Sequence, residues 1–439
     1  MGLGGGTFVT VGEKKLPGSY INFISVSRAN IEIGERGYVA MPLLLDWGTE
    51  EKVIKITAEE LQNESLTIFG YGYSDDALKP VREIFKHART LYFYRLGNGV
   101  KATSTIATAK YAGTRGNKLK VVVTANVVGE TTTGYTVKTL LDDILVDTQE
   151  ADGATATTDD LTANDFVDWT EEVSLSSGTT SLTGGTNATV TSSDYSDFLN
   201  AIEPYAFNVI GYPGTETTIK ALFATFTQRM RDNLGIKFQC VLHQYTTANY
   251  EGVISVENSP VNTSSADLVY WVAGSEAGCE INKSNTNTEY DGEYDPNVSY
   301  TQAQLEDALD AGKFIFHKVG EEVRVLEDIN TLTTFTDEKS EDFKYNQTIR
   351  VIDQIGNDIA VIFNTRFLGK IPNDDSGRAS LWNELVKYHQ NLQDIRAIEN
   401  FSSDQITVKQ GNTKKSVVVD DVITPTNCMT QLYMTCKIE

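Results

Sequence analysis

The residues that could do chemistry are few. Four of the first six residues are glycine, in MGLGGGTFVTVGEKKLPGSYINF. A glycine loop cradles a phosphate when a strand leads into it and a helix N-terminus follows, because backbone amides then face the anion. No strand-forming run stands before these glycines, no GK[ST] follows them, and the next segment reads as extended. A myristoylation pattern wants Ser or Thr at position six, where this chain has Gly6. In WVAGSEAG, Ser275 directly follows Gly274, so the GxSxG spacing of a nucleophile elbow is not met. SADLVYWVAG reads instead as a small-residue helix packed tightly on a neighbour.

Four histidines occur, His87, His243, His317 and His389. His243 and His317 each end an apolar strand-like run, where an α/β sheet could bring them near a site. The acidic run EYDGEYDPN, residues 289–297, lacks the spacing of a calcium loop and reads as a solvated acidic loop. Cys240, Cys279, Cys428 and Cys436 form no CxxC and have no paired histidines beside them, so reduced thiols are expected rather than a zinc site or a disulfide framework. The expectation is therefore no catalytic residue, no cofactor and no metal.

The chain has 439 residues, enough for two to four domains. Its formal net charge of −23 repels nucleic acid and anionic membrane, so neither is expected as a partner. No basic start with an apolar core marks a secretory leader, and no stretch approaches the ~18 apolar residues of a membrane span. These features point to a cytoplasmic product.

Any site must be positioned by an alternation of helices and strands. GYVAMPLLLDWG and SLTIFGYG read as buried strands, DDALKPVREIFKHA as a helix and RTLYFYRLGNG as a strand. Residues 99–194 turn rich in Thr, Ser, Gly and Asp and read as a β-rich inserted surface domain. The alternation then returns with helices in SDYSDFLNAIEPY and TETTIKALFATFTQRMRDNLG and strands in AFNVIGYPG and IKFQCVLH. The expected class is mixed α+β and multi-domain. It has a discontinuous α/β domain from 25–98 and 195–335, the insert at 99–194, and a C-terminal α+β domain at 336–425. Arms at 1–24 and 426–439 flank these domains.

The C-terminal domain should contain one long helix from Arg378 to Phe401, with Leu381, Leu385, Tyr388, Leu392 and Ile395 forming an apolar stripe. Its outer face would carry Glu384, Lys387, Asp394 and Arg396. At the end of the chain, Leu432, Met434, Cys436 and Ile438 alternate with Tyr433, Thr435 and Lys437. That is the period of a strand, and a strand with an apolar face has to pair with something.

Several phrases, in order along nearly the whole chain, give a resemblance. They include LPGSYINF, RGYVAMPLLLDWG, YRLGNG with AKYAGTRGNKLKV, and LTGGTN before DYSDFLNAIE. They continue with WVAGSEAGCEINKSNTNTEYDG, EDINTLTTFT, NQTIRVIDQIGNDI and MTQLYMTCKIE. The chain resembles contractile tail sheath proteins of bacteriophages and phage-tail-like (R-type) bacteriocins, of the type found in Gram-positive bacteria. Residues 128–181 match least. The resemblance implies a structural homo-oligomer with no enzymatic activity, stacked as hexameric rings around an inner tail tube and meeting baseplate and tail terminator proteins. It would assemble in the bacterial cytoplasm and leave in a particle released by lysis.

The resemblance also implies strand-exchanging arms. Phe8, Val9, Val11, Pro17 and Tyr20 would serve the first arm, and Leu432, Tyr433, Met434, Cys436 and Ile438 the second. Arg378, Glu384, Lys387, Asp394 and Arg396 would face the tube. Two other readings compete: an α/β enzyme with a β-rich accessory domain, and a secreted surface adhesin.

Overall fold

The computed structural model describes residues 33–438; the expected first arm, with Phe8, Val9, Val11, Pro17 and Tyr20, lies outside them. The chain begins with β1 (Tyr38–Leu43), β2 (Val53–Thr57), α1 (Ala58–Phe69), α2 (Lys79–Phe85) and β3 (Thr90–Arg95). Seven strands follow: β4 (Lys101–Thr103), β5 (Ala107–Ala112), β6 (Leu119–Val128), β7 (Thr131–Leu141), β8 (Ile144–Asp152), β9 (Val167–Trp169) and β10 (Gly178–Ser181). Next come α3 (Ser192–Ile202), β11 (Val209–Tyr212), α4 (Thr217–Gln228), β12 (Gln239–His243), β13 (Val253–Val256) and α5 (Leu268–Gly278). The last part holds α6 (Gln302–Asp310), β14 (Phe316–Val319), β15 (Glu322–Val325), α7 (Asn346–Ile362), α8 (Asp375–Asp394), β16 (Ile406–Gln410) and β17 (Val417–Asp421).

Six strands form one sheet in the order β13-β12-β11-β1-β3-β2. It is parallel except for β2, which runs antiparallel to β3. Segments on both sides of the β4–β10 stretch build it: β1 pairs Val39 with Leu91 of β3 and with Val209 of β11. Its strands are apolar on both faces because helices cover both. Val39, Met41 and Leu91 share a core with Val81 and Ile84 of α2 and with Val269 and Val272 of α5. Ala40 and Ile210 share the opposite core with Phe198 of α3 and Phe223 of α4.

Close packing shapes the first of those layers. A Cβ on Gly274 would sit 2.3 Å from the Ile84 carbonyl oxygen, and one on Gly278 would sit 2.1 Å from that of His87. The two glycines let α5 lie backbone to backbone against α2. GSEAG thus holds a packing seam, as its small residues suggested.

One expected strand is a helix. SLTIFGYG contributes the second half of α1, not a strand. Thr57 and Glu60 form a reciprocal capping box, with Thr57 N donating to Glu60 Oε2 at 2.7 Å, and Gly70 ends the helix at φ 75°. Leu61, Ser65 and Phe69, four apart, are buried. The cap and this stripe outweigh the strand preference of Thr67 and Ile68.

The inserted stretch makes a four-stranded antiparallel sheet, β10-β6-β7-β8, and a three-stranded sheet, β4-β5-β9. Val121, Val137, Leu141, Phe166 and Leu182 give it a core of its own, which Trp47 joins from the first part of the chain. Buried Arg95 adds three bonds, to the carbonyls of Leu45 (3.1 Å), Gly48 (2.6 Å) and Ala112 (2.8 Å).

The acidic run 289–297 keeps Glu289, Asp291, Glu293 and Asp295 exposed, as expected of a solvated loop, and is also tied to the helices beneath it. Glu293 pairs with Arg82 at 2.8 Å, the Tyr290 hydroxyl donates to Glu83 at 2.7 Å, and Asp291 accepts the Trp271 indole N–H at 2.8 Å. Two of its acids, Glu293 and Asp291, are held because Arg82 of α2 and Trp271 of α5 donate to them.

Candidate functional site

Among the described residues no group of three His, Cys, Asp or Glu could hold a metal, and no helix is long and apolar enough to cross a membrane. The histidines have packing partners. His243 is buried, its Nε2 lies 3.0 Å from Ser259 Oγ, and burial pushes its pKa down to about 4. His317 sits on β14 opposite Arg324, and burial lowers its pKa as well. The two histidines meet different neighbours. His243 does touch a serine hydroxyl, but its Nδ1 has no hydrogen-bond partner among the described residues, so no carboxylate orients it as a base.

The feature left unfinished is the C-terminal segment. Residues 424–426 lie beside Ala397–Glu399: Glu399 N donates to Thr424 O at 2.9 Å, and Thr426 N to Ala397 O at 3.0 Å. Asn427 and Cys428 are still tied to α7 by side-chain bonds. From Met429 to Ile438 the chain forms no helix or strand and has no strand partner among the described residues. Leu432 is 85% exposed, Met434 74% and Ile438 97%, and Tyr433 and Cys436 are exposed too. The alternating apolar residues expected to form a strand are thus in water, where an unpaired strand gains nothing.

A short sheet stands near the same end. Among the described residues β16 and β17 pair only with each other, from Ile406↔Asp421 to Gln410↔Val417. A two-stranded ribbon is marginal by itself. This one is seated on α8: the Trp382 indole N–H donates to Ile406 O at 2.9 Å, and buried His389 lies between Leu385 O (2.8 Å) and Asp421 Oδ2 (2.9 Å). Val418, Val419 and Val422 are exposed along it.

Helix α8 follows the expected stripe through Leu381, Leu385, Tyr388 and Leu392, all buried. Asp374 caps it, accepting from Gly377 N at 2.8 Å. The helix stops at Asp394, short of the expected Phe401. Arg396 takes a left-handed φ of 62° and Ile395 is exposed, because the chain turns there to bring Ala397 and Ile398 back under Pro425. Of the expected outer-face residues, Asp394 is exposed and Lys387 half-buried. Glu384 holds Arg366 at 2.6 Å, and Arg378 pairs with Asp375 and donates to Asn373 O at 3.0 Å.

Two buried charge groups escaped the sequence reading. Arg350 of α7 donates to Glu276 at 2.7 Å and to Asp328 at 3.1 Å, with all three side chains essentially inaccessible. One turn later, Asp353 accepts from Arg231 at 2.8 Å. Asn285 and Asn346 complete the first group, donating to Glu276 and Asp328 at 2.8 Å each. With two acids on one guanidinium in a dry site, desolvation pushes Glu276 up to about 8 while the cation holds Asp328 low. The only sequence signal was an Arg and an Asp three apart among the apolar residues of NQTIRVIDQI.

The first half of α7 is therefore tied to elements that pack on the six-stranded layer, and the far end of the chain is unpaired among the described residues. The arrangement suits a protein that completes itself on another chain.

Comparison with known proteins gives the family. Residues 188–331 match the family of the phage tail sheath protein central domain, and 338–439 the phage tail sheath C-terminal domain. Residues 36–96 match the N-terminal region of domain III of tail sheath protein Gp18. These spans leave 97–187 outside them. The sheath tail protein DSY3957 of Desulfitobacterium hafniense is 38% identical, with a TM-score of 0.82 over 93% of this chain and 96% of its own. The phage-like element PBSX protein XkdK of Bacillus subtilis is 32% identical over 99% of this chain and 100% of its own length. The contracted helical sheath of the anti-feeding prophage shares the fold at 12% identity, with a TM-score of 0.56 over 97% of this chain and 99% of its own. The chain belongs to the phage tail sheath protein family: it is a structural subunit of a contractile tail sheath, not an enzyme.

Proposed function

We propose that copies of this chain stack as hexameric rings around an inner tail tube, joined by strand-exchanging arms, and that contraction drives the tube through a target cell envelope. The observations that carry this reading are the C-terminal segment, whose alternating apolar side chains stand in water, and a ribbon that has only two strands among the described residues. Adding Leu432–Ile438 of one copy to β16–β17 of another would satisfy both, with main-chain bonds giving affinity and alternate side chains giving register. Phe8, Val9, Val11, Pro17 and Tyr20 would serve a second such junction.

Within that scheme the α/β domain takes 25–98 and 195–335, the insert at 99–194 faces outward, and 336–425 is the assembly domain. The exposed side of α8, around Asp394, would meet the tube. Baseplate and tail terminator proteins would meet the ends of the stack, and the particle would assemble in the bacterial cytoplasm and leave by lysis. Subunits would move as near-rigid bodies about their arms.

Removal of residues 427–439 tests the reading. The shortened chain is expected to stay folded by circular dichroism and to form no ordered tubes by electron microscopy. Ordered tubes from it would rule out the C-terminal junction.

A further inference from the structure

The departure point of the C-terminal segment has an unusual construction. Gln347, the second residue of α7, is 3% exposed. Its Nε2 donates to the Thr426 carbonyl at 3.0 Å, and its Oε1 accepts the Cys428 N–H at 2.9 Å. One amide thus bonds the carbonyl before Asn427 and the N–H after it. That is the pair of bonds a neighbouring backbone peptide makes in a parallel ladder. The assignment of oxygen and nitrogen follows, since only one orientation of the amide satisfies both groups. Thr348 Oγ1 adds a bond to Asn427 Oδ1 at 3.2 Å. The side-chain bridge continues the true backbone ladder between 424–426 and Ala397–Glu399.

We infer that Gln347 is a positioning residue for assembly: its side chain acts as a one-residue strand that fixes where the C-terminal arm leaves the subunit and which way its faces point. The inference rests on the reading that this segment pairs with a neighbouring copy. The physical reason is burial. If the arm peeled back past Cys428, a desolvated amide would lose both partners. The pivot therefore falls between Cys428 and Met429, and residues 429–438 (ten in number) set a maximum reach of about 35 Å. Holding Asn427 toward α7 also sets the parity of the strand beyond it, so that Leu432, Met434, Cys436 and Ile438 share one face. A freely rotating arm would search both faces and many exit angles before pairing.

The test uses the full-length chain with Gln347→Met, which keeps length without hydrogen bonds, and Gln347→Asn, which is too short to span both groups. A chain lacking 429–438 is carried alongside. Peptide-resolved hydrogen exchange over 424–430, thermal unfolding, and tube formation by sedimentation and electron microscopy are read together. The Met variant is expected to unfold at the same temperature as the unaltered chain. It should exchange the Cys428 amide about tenfold faster and need an about tenfold higher concentration to form tubes, the scale of two neutral hydrogen bonds. Should that variant not fold, the Asn variant supplies the same readings. Unchanged exchange overturns the clamp. Faster exchange with unchanged assembly, while the 429–438 deletion abolishes tubes, overturns the positioning role and leaves the arm itself standing. Normal tubes from the deletion overturn the arm reading and the inference with it.

Discussion

The first half of α7 and the segment after Cys428 are opposite solutions to one problem. Each combines polar and apolar groups that cannot stand alone. Arg350 and Asp353 are buried charges, and each meets its complement inside the same chain, in Glu276 with Asp328 and in Arg231. Leu432, Met434 and Ile438 are apolar side chains with no complement among the described residues. The difference assigns the work. The internally completed region ties α7 to elements that pack on the six-stranded layer. On the proposed reading, the incomplete region keeps its binding energy for another copy.

The largest effect expected comes from breaking the completed side. Arg350→Met leaves Glu276 and Asp328 facing each other without their cation, and loss of one member of a buried charge group costs about 3–5 kcal/mol. Urea unfolding monitored by tryptophan fluorescence measures it. A loss below ~1 kcal/mol would mean that the tie lies elsewhere.

A smaller effect sharpens the same point through pH. Burial raises the Glu276 pKa from 4.5 to about 8, so between those values the folded chain holds a proton that the unfolded chain releases. Stability from this group therefore falls as pH rises through that window. Glu276→Gln should flatten the decline, bringing the urea midpoints at pH 5 and pH 8 closer together than in the unaltered chain. Parallel pH profiles for the two proteins would contradict the assignment of the proton.

The smallest effect on the isolated subunit belongs to the incomplete side. Leu432→Asp with Met434→Asp changes exposed residues only, so the monomer should keep its stability within ~0.5 kcal/mol. Tube formation by the same protein should fail. A destabilised monomer would show that the segment is packed on its own subunit in solution, and the contrast between the two regions would collapse.

Much of this was readable from local pattern. The apolar runs around Val39, Leu91, Ile210 and Val241 are strands of the large sheet, the Leu381–Leu392 stripe is the buried face of α8, and GSEAG is a packing seam. Each is set by neighbours a few residues away. The misreadings share a cause too. Whether SLTIFGYG is a strand or a helix turned on a cap begun at Thr57. The acids of 289–297 are exposed as read, but the ties of Glu293 and Tyr290 were not visible because Arg82 and Glu83, which bond them, lie more than 200 residues earlier. The end of α8 was overestimated because Ala397 and Ile398 are drawn off by Pro425 and its neighbours.

The sequence by itself determined the period of each element, the acidic surface and the unfinished apolar alternation at the end of the chain, because these depend on residue type and short spacing. The tertiary structure alone decided which charges are buried together, where α8 stops, and that a glutamine amide stands in for a strand at Asn427. Glu276 and Arg350 are 74 residues apart, and Gln347 and Cys428 are 81 apart. Hydrogen bonds and ion pairs form over about 3 Å. No local pattern carries a contact that exists only once the chain has brought such distant residues together.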